Sequence, residues 1–258
     1  MRNRLEFMKE VARAAGAIQM EGLGKRHQIE FKGAINLVTE IDKKCEALIV
    51  DSIKKEFPHE DVLAEEGSGE RSSSNTRWII DPLDGTVNYA HKFPFFCVAI
   101  ALEVEKELVA GVIYDPVRDE MFSAEKSKGA FLNGEIIRVS DNAPLNQAIV
   151  ATGFAYNIQE GEKRNNLNNF ERFVKKAQAV RRPGSAAIDM AYVACGRLDG
   201  FWELFLCPWD MAAGVVIIRE AGGSVTTFDG GTYDLYGTEI LASNGRIHED
   251  MISVLCSS

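Results

Sequence analysis

Apolar residues recur at helical spacing near the start of the chain, at Leu5, Met8, Ala12, Ala15 and Ile18, and again at Ile41, Cys45, Leu48, Ile49 and Ile53. An apolar stripe every three to four positions predicts two amphipathic helices, the second with Asp42 at its start and Pro58 closing it. The period then changes. Residues 78–80, 95–104, 108–114, 121–124, 130–132 and 136–139 are β-branched or aromatic runs broken by turn residues, so strands are predicted there, with Asn133-Gly134 as a hairpin turn. The last third alternates: a strand at 149–152, a helix near 162–179, a helix over 185–194, a strand around 201–205, a helix over 209–221, a strand at 240–242 and a terminal helix. Runs of helix, then strands, then both in alternation predict helices and sheets stacked in layers.

Composition narrows the function more than the fold. The 258 residues are 46% hydrophobic and carry 38 acidic against 29 basic side chains, a net charge of −9. A chain of this size is expected to keep roughly 11,000 Å² accessible of an extended roughly 41,000 Å², enough burial for a core without disulfides or a structural metal. No Pro-, Gly- or Ser-rich stretch separates independent halves, so 1–258 reads as one unit, with subdomains at roughly 1–142 and 143–258. The five cysteines lack C-x-x-C spacing, which predicts buried free thiols in a reducing cytoplasm. The mixed polar and apolar start of the chain and its short apolar runs lead us to expect neither secretion nor membrane spanning, and the longest basic run is the Arg181-Arg182 pair. Membrane insertion and direct nucleic-acid binding are therefore not expected, and an anionic substrate would need a cation as intermediary.

The most informative segment is Asp81-Pro82-Leu83-Asp84-Gly85-Thr86, which follows the apolar Trp78-Ile79-Ile80. Strand ends are where layered α/β proteins place their sites. Pro82 fixes the backbone between two aspartates, so a turn there aims both carboxylates and the Leu83 carbonyl at one point. Two such carboxylates repel each other unless neutralised, and a hard divalent cation such as Mg²⁺ takes oxygen ligands together with a substrate phosphate. Gly85 lets an anion approach the backbone, and Thr86 is expected to cap a following helix whose amides favour phosphate. Asp-Pro and Asp-Gly often make only a surface turn. Here two further segments follow the same grammar of apolar run, carboxylate and small residue: Val62-Leu63-Ala64-Glu65-Glu66-Gly67, and Pro208-Trp209-Asp210-Met211-Ala212-Ala213-Gly214. Together Glu65, Asp81, Asp84 and Asp210 supply carboxylates for two or three Mg²⁺ ions, an arrangement suited to breaking phosphate esters. The four histidines have no metal-ligand spacing, and no G-x-S-x-G elbow supports a nucleophilic serine.

These strings, in this order and spacing over nearly the whole chain, resemble the inositol monophosphatase family. Arg182-Pro183-Gly184-Ser185-Ala186-Ala187 and Gly196-Arg197-Leu198-Asp199-Gly200-Phe201-Trp202-Glu203 resemble its bacterial branch. The resemblance implies an α-β-α-β-α sandwich of the sugar phosphatase type, α+β or α/β in class, with Mg²⁺-dependent hydrolysis of a phosphate monoester by water and a homodimer. It makes Glu65, Asp81 and the Leu83 carbonyl ligands of one Mg²⁺, with Asp81, Asp84 and Asp210 around a second and a weaker third near Glu65. Asp42 and Thr86 match a pair that orients and deprotonates the attacking water, and Glu65 joins them as catalytic. Substrate-binding positions are Gly85, Thr86, Gly184, Ser185, Ala186, Glu203 and Asp210, with Glu203 on ring hydroxyls.

The competing structural readings of these positions are a Gly-Ser helix cap at 184–185 and a salt bridge at Glu203. The segment Lys32-Gly33-Ala34-Ile35-Asn36 departs from the family pattern by carrying Asn36 where many members have a carboxylate. Inositol monophosphate is the first expected substrate. Fructose 1,6-bisphosphate comes second, alone or with dual specificity, and a nucleotide 3′-phosphate third. A binding protein of the transcription or ribosome-assembly machinery is the alternative of a different class.

Overall fold

The computed structural model describes residues 3–25, 29–31, 37–67, 74–155 and 165–257. The two predicted N-terminal helices are present as α1 (Arg4–Gly22) and α2 (Glu40–Glu56). Asn3 caps α1 by accepting from the Leu5 and Glu6 amides, and Thr39 with Asp42 forms a capping box on α2. Between the helices, β1 (Ile29–Phe31) and β2 (Leu37–Thr39) pair antiparallel.

The middle of the chain forms a seven-stranded sheet whose spatial order follows the sequence: β3 (Asp61–Ala64), β4 (Thr76–Asp84), β5 (Cys97–Val104), β6 (Glu107–Asp115), β7 (Glu120–Glu125), β8 (Ala130–Leu132) and β9 (Glu135–Ile137). A short helix, α3 (Thr86–Ala90), separates β4 from β5. Only β3 and β4 run parallel. The expected hairpin joins β8 and β9, with Asn133 at φ 51° and Gly134 at φ 88°, as a two-residue turn with positive φ at both positions requires.

The last third contributes β10 (Ile149–Thr152), α4 (Leu167–Lys176), β11 (Ala179–Arg181), α5 (Ala186–Ala194), β12 (Gly200–Leu204), α6 (Pro208–Glu220), β13 (Ser224–Thr226), β14 (Glu239–Ser243) and α7 (His248–Leu255). Its five strands form a second sheet in the order β11-β10-β12-β14-β13.

Strand alternation fixes the layers. On β4, Trp78 and Ile80 point into a core with Phe7, Met8, Ile49 and Ile53 of α1 and α2. Ile79, between them, points the other way, into a core with Met190 and Val193 of α5 and Val215 and Ile217 of α6. The second sheet repeats the device. Phe201 of β12 faces α5 and α6, whereas Trp202 faces Phe173 of α4 and Met251 of α7. The Phe173 and Trp202 rings stack at 3.8 Å, a pair worth about 1 kcal/mol beyond its buried area. The result is the expected α-β-α-β-α sandwich, with α5 and α6 shared between the two sheets. Its accessible surface is 11,975 Å².

Several expectations are corrected. The helix expected near 162–179 is α4 alone. Residues 156–164 lie outside the described set, and Ala179–Arg181 leaves the helix to pair in parallel with β10, because an open sheet edge satisfies its backbone. Of the five free cysteines, Cys45 and Cys97 are buried, Cys195 and Cys207 are half-buried, and Cys256, past the last buried turn of α7, is exposed. Among the described residues no helix is long and apolar enough to cross a membrane.

Candidate active site

Strand β4 pairs with β5 as far as Asp81 opposite Ala99, loses register, and resumes with Asp84 opposite Cys97. Pro82 has no amide hydrogen to give the ladder, so the chain bulges between the two aspartates. The Leu83 amide folds back to donate to Asp81 Oδ1 at 3.0 Å. From α1, Gln19 Nε2 donates to the Pro82 carbonyl at 2.8 Å, and Tyr89 of α3 donates to the Gln19 carbonyl at 2.7 Å. Nothing local in the sequence announces Gln19, because its partner lies far along the chain.

Gly85 then turns the chain with φ 95°, and a Cβ there would stand 2.9 Å from the Phe95 carbonyl oxygen, so the position admits only glycine. Gly85, not Thr86, occupies the cap position of α3, which corrects the expected capping role. Thr86 sits one residue further in, where its hydroxyl reaches Asp42 Oδ1 at 2.9 Å and the Leu83 carbonyl at 3.0 Å. Asp42 divides its two oxygens. Oδ2 accepts from the Thr39 amide (2.9 Å) and hydroxyl (2.5 Å), completing the α2 cap, and Oδ1 is left for Thr86. Asp42 therefore caps α2 and meets Thr86 at the same time, and burial raises its pKa.

The remaining carboxylates arrive from three other elements. Glu65 follows β3, its amide donating to the Ile80 carbonyl of β4 at 3.3 Å. The neighbouring Glu66 amide donates to Glu46 Oε2 of α2 at 2.7 Å, which pins this turn. Asp84 Oδ2 accepts from the Ser185 hydroxyl at 2.6 Å and the Ala187 amide at 2.8 Å, so the start of α5 points at it. Asp210, in the first turn of α6, accepts from the Cys207 amide at 2.7 Å.

Asp81 has its pKa raised well above the carboxylate range by burial and then by Glu65, Asp84 and Asp210. Asp210 is raised well above it by loss of water and by Asp84, and Asp84 is raised by loss of water. Against this the described residues supply the hydrogen bonds of Leu83, Ser185, Ala187 and Cys207. Among the described residues no three His, Cys, Asp or Glu side chains are already gathered to hold a metal ion by themselves. The donor set nonetheless suits Mg²⁺, which keeps several waters and is held by a few carboxylate oxygens together with substrate phosphate.

Beside these carboxylates opens a cavity of about 310 Å³, lined by Glu65, Asp84 and Asp210 together with Gly184, Ser185, Ala186 and Glu203. Ser185 caps α5, accepting from the Ile188 amide at 3.3 Å while donating to Asp84, so its hydroxyl serves the protein. Glu203, on β12, is buried and makes no direct ion pair among the described residues, which removes the salt-bridge reading. Burial, Asp210 and Asp84 push its pKa up to about 8, with Arg182 opposing.

Gly153 makes room for Glu203, since a Cβ there would lie 2.2 Å from Oε1. Asn166 donates to the Gly153 carbonyl at 2.8 Å and accepts from the Trp202 indole at 2.8 Å, holding this wall in place. Asn88 of α3 does the same for the Pro183 and Gly184 carbonyls, at 2.9 and 3.3 Å. Gly153, Asn166 and Asn88 carry no local signature and are additions to the sequence reading. Segment 32–36 lies outside the described residues. A larger, more open groove of about 720 Å³ lies elsewhere, and its Arg77 is already engaged by Glu103 (3.6 Å) and the Tyr236 hydroxyl (2.9 Å).

A model of the inositol monophosphatase family matches residues 1–258. The inositol-1-monophosphatase of Synechocystis sp. is 46% identical over 257 residues, covering 98% of this chain and 89% of that protein. The fructose-1,6-bisphosphatase/inositol-1-monophosphatase of Thermotoga maritima is 40% identical, covering 98% and 96%. The crystal structure of extragenic suppressor protein suhB from Bartonella henselae superposes with a TM-score of 0.92 at 39% identity, covering 97% of each chain.

Proposed function

Because the chain belongs to the inositol monophosphatase family, we propose that it hydrolyses the phosphate monoester of a polyol, inositol monophosphate first, with Mg²⁺ as cofactor. The observation that carries this reading is the buried Asp81 set among Glu65, Asp84 and Asp210, whose hydrogen-bond donor among the described residues is the Leu83 amide, next to a cavity lined by Glu65, Asp84, Asp210 and Glu203. Glu65, Asp81, Asp84, Asp210 and the Leu83 carbonyl would hold two ions, with a third near Glu65. Ions held there would supply positive charge for the phosphate and a lowered pKa for a bound water.

The chain's own part is proton transfer and orientation. The Thr86 hydroxyl carries one proton, which it shares between Asp42 Oδ1 and the Leu83 carbonyl. As the attacking water gives a proton to Thr86 Oγ, Thr86 passes its own to Asp42, whose raised pKa suits the role of acceptor. The P–O ester bond breaks as the water oxygen bonds to phosphorus, the departing polyol oxygen takes its proton from a solvent water, and Asp42 returns the proton it received to solvent. Gly85, with no side chain, leaves the α3 amides open to phosphate. Glu203, together with the Gly184 to Ala186 backbone, orients the ring by accepting from its hydroxyls. Fructose 1,6-bisphosphate stays the second substrate, favoured by Arg182 at the cavity wall and by the dual name of the Thermotoga relative.

Phosphate release from inositol 1-phosphate and from fructose 1,6-bisphosphate, each with Mg²⁺ or EDTA, tests the reading on wild type and Asp84→Ala. Release that needs both Mg²⁺ and Asp84, with the higher kcat/KM on inositol 1-phosphate, is expected. A tenfold or greater preference for the bisphosphate reverses the substrate order, and release that survives EDTA removes the metal mechanism.

A further inference from the structure

One acidic side chain at the cavity has no role in the chemistry above. Asp189, in the first turn of α5, is 2% exposed and lines the cavity together with Glu203 and Asp84. Its Oδ1 is closed off from solvent without a hydrogen-bond partner. Two ordinary structural roles for such a residue are already filled. The α5 amides that an aspartate here would cap are taken by Ser185, which accepts from Ile188, and by Asp84, which accepts from Ala187. Arg182 attracts both Asp189 and Glu203 but makes no direct ion pair with either among the described residues. A buried carboxyl with neither cap nor ion pair costs stability, and residues on both sides of it, Ile188 and Met190, are fully buried apolar side chains.

We infer that Asp189 is a second hydroxyl-recognising residue of the substrate cavity, so that it and Glu203 together contact neighbouring hydroxyls of a polyol ring. This rests on the polyol phosphate reading. Set beside Glu203 in the lining of one cavity, Asp189 offers a ring hydroxyl a second carboxyl partner. A neutral ring bearing adjacent hydroxyls satisfies both side chains. A second phosphate at the same place would set a dianion against two carboxyl groups, with Arg182 the cation that acts on both among the described residues.

The test compares kcat/KM for inositol 1-phosphate with that for phenyl phosphate, which has no ring hydroxyls, in Mg²⁺-loaded wild type, Asp189→Asn, Asp189→Leu and Asp189→Ala. Both substrates report on the same folded enzyme, so a loss of folded protein cancels in the ratio. The ratio is expected to fall about tenfold or more in Asp189→Leu and Asp189→Ala, mainly through KM for inositol 1-phosphate, and to stay within about threefold of wild type in Asp189→Asn, which keeps the hydrogen-bonding shape. An unchanged ratio in the Leu and Ala variants overturns the inference while the polyol reading stands. A wild type with no preference for inositol 1-phosphate over phenyl phosphate overturns both.

Discussion

Asp115 and Asp199 are buried, as Asp81 and Asp189 are, yet the chain treats the two pairs differently. Asp115 accepts from the Val117 and Arg118 amides at 2.9 and 3.1 Å and pairs with the Arg118 guanidinium at 2.8 Å. Asp199 accepts from the Ser140 hydroxyl at 2.5 Å, the Ile149 amide at 2.7 Å and the Asn142 amide at 3.2 Å. Asp81, by contrast, has the Leu83 amide and three facing carboxylates, and Asp189 has an orphaned oxygen. A carboxylate that the protein satisfies completely is a fastener. One left short of partners in the interior is held ready for something that arrives later.

Asp81→Asn separates these two cases most sharply. Phosphate release is expected to fall by about a thousandfold or more, because both principal cation positions lose charge, while the melting temperature of the metal-free protein rises as buried repulsion is relieved. Equal falls in activity and stability would place Asp81 with the fasteners. Asp42→Asn is expected to lose about a hundredfold, since it removes one proton acceptor and leaves the ligands intact; losses equal to those of Asp81→Asn count against the separate roles.

In the opposite direction, Asp199→Ala should lower the unfolding free energy by about 2 kcal/mol, read by urea titration, because it removes the acceptor shared by the Ile149 amide, the Ser140 hydroxyl and the Asn142 side chain. The kcat of the folded fraction then stays at the wild-type value. The smallest effect concerns His248, held between the Thr226 hydroxyl (2.9 Å) and the Ser243 hydroxyl (2.7 Å), where burial lowers its pKa below the ordinary 6.5. The folded state binds this proton less readily than the unfolded one, so the stability His248 contributes is complete above pH 6.5 and is lost as pH falls through the lowered folded-state value. The slope is at most about 1.4 kcal/mol per pH unit. A His248→Gln variant with the same pH 5–7.5 stability profile as wild type would exclude it.

The parts of the fold legible in the sequence were those whose signal is local. The stripes of α1 and α2, the alternation of β4 to β7 and the Asn133-Gly134 turn each declare themselves within a dozen residues. Strand β13, three residues with one buried side chain, Val225, carries too little pattern to be seen, and the end of α4 is decided by the neighbouring edge of β10. The same division runs through the site. Asp81, Asp84 and Thr86 sit in one string, and Glu65 and Asp210 repeat its grammar. Gln19, Asn88, Gly153 and Asn166 act through partners brought close only by folding, and Asp189 stands in a helix whose apolar run conceals it. A hydroxyl after Gly85 fits either a helix cap or a side-chain partner, and the fold decides for the second by placing Asp42 within reach of Thr86.

The shared middle layer has a consequence for how the molecule is made. During synthesis the seven strands of the large sheet have all emerged once Ile137 leaves the ribosome, but Ile79, Ala99, Ala101, Ile113 and Phe122 on their inner face are covered by α5 and α6, which are translated later. Until then the nascent chain presents one apolar sheet face without its natural cover, exposed to chaperones and to neighbouring chains. Asp210 arrives with the same helix that closes that face. Completing the core and completing the carboxylate cluster are thus one event, late in the life of the nascent chain, and a chain stalled before α6 has neither.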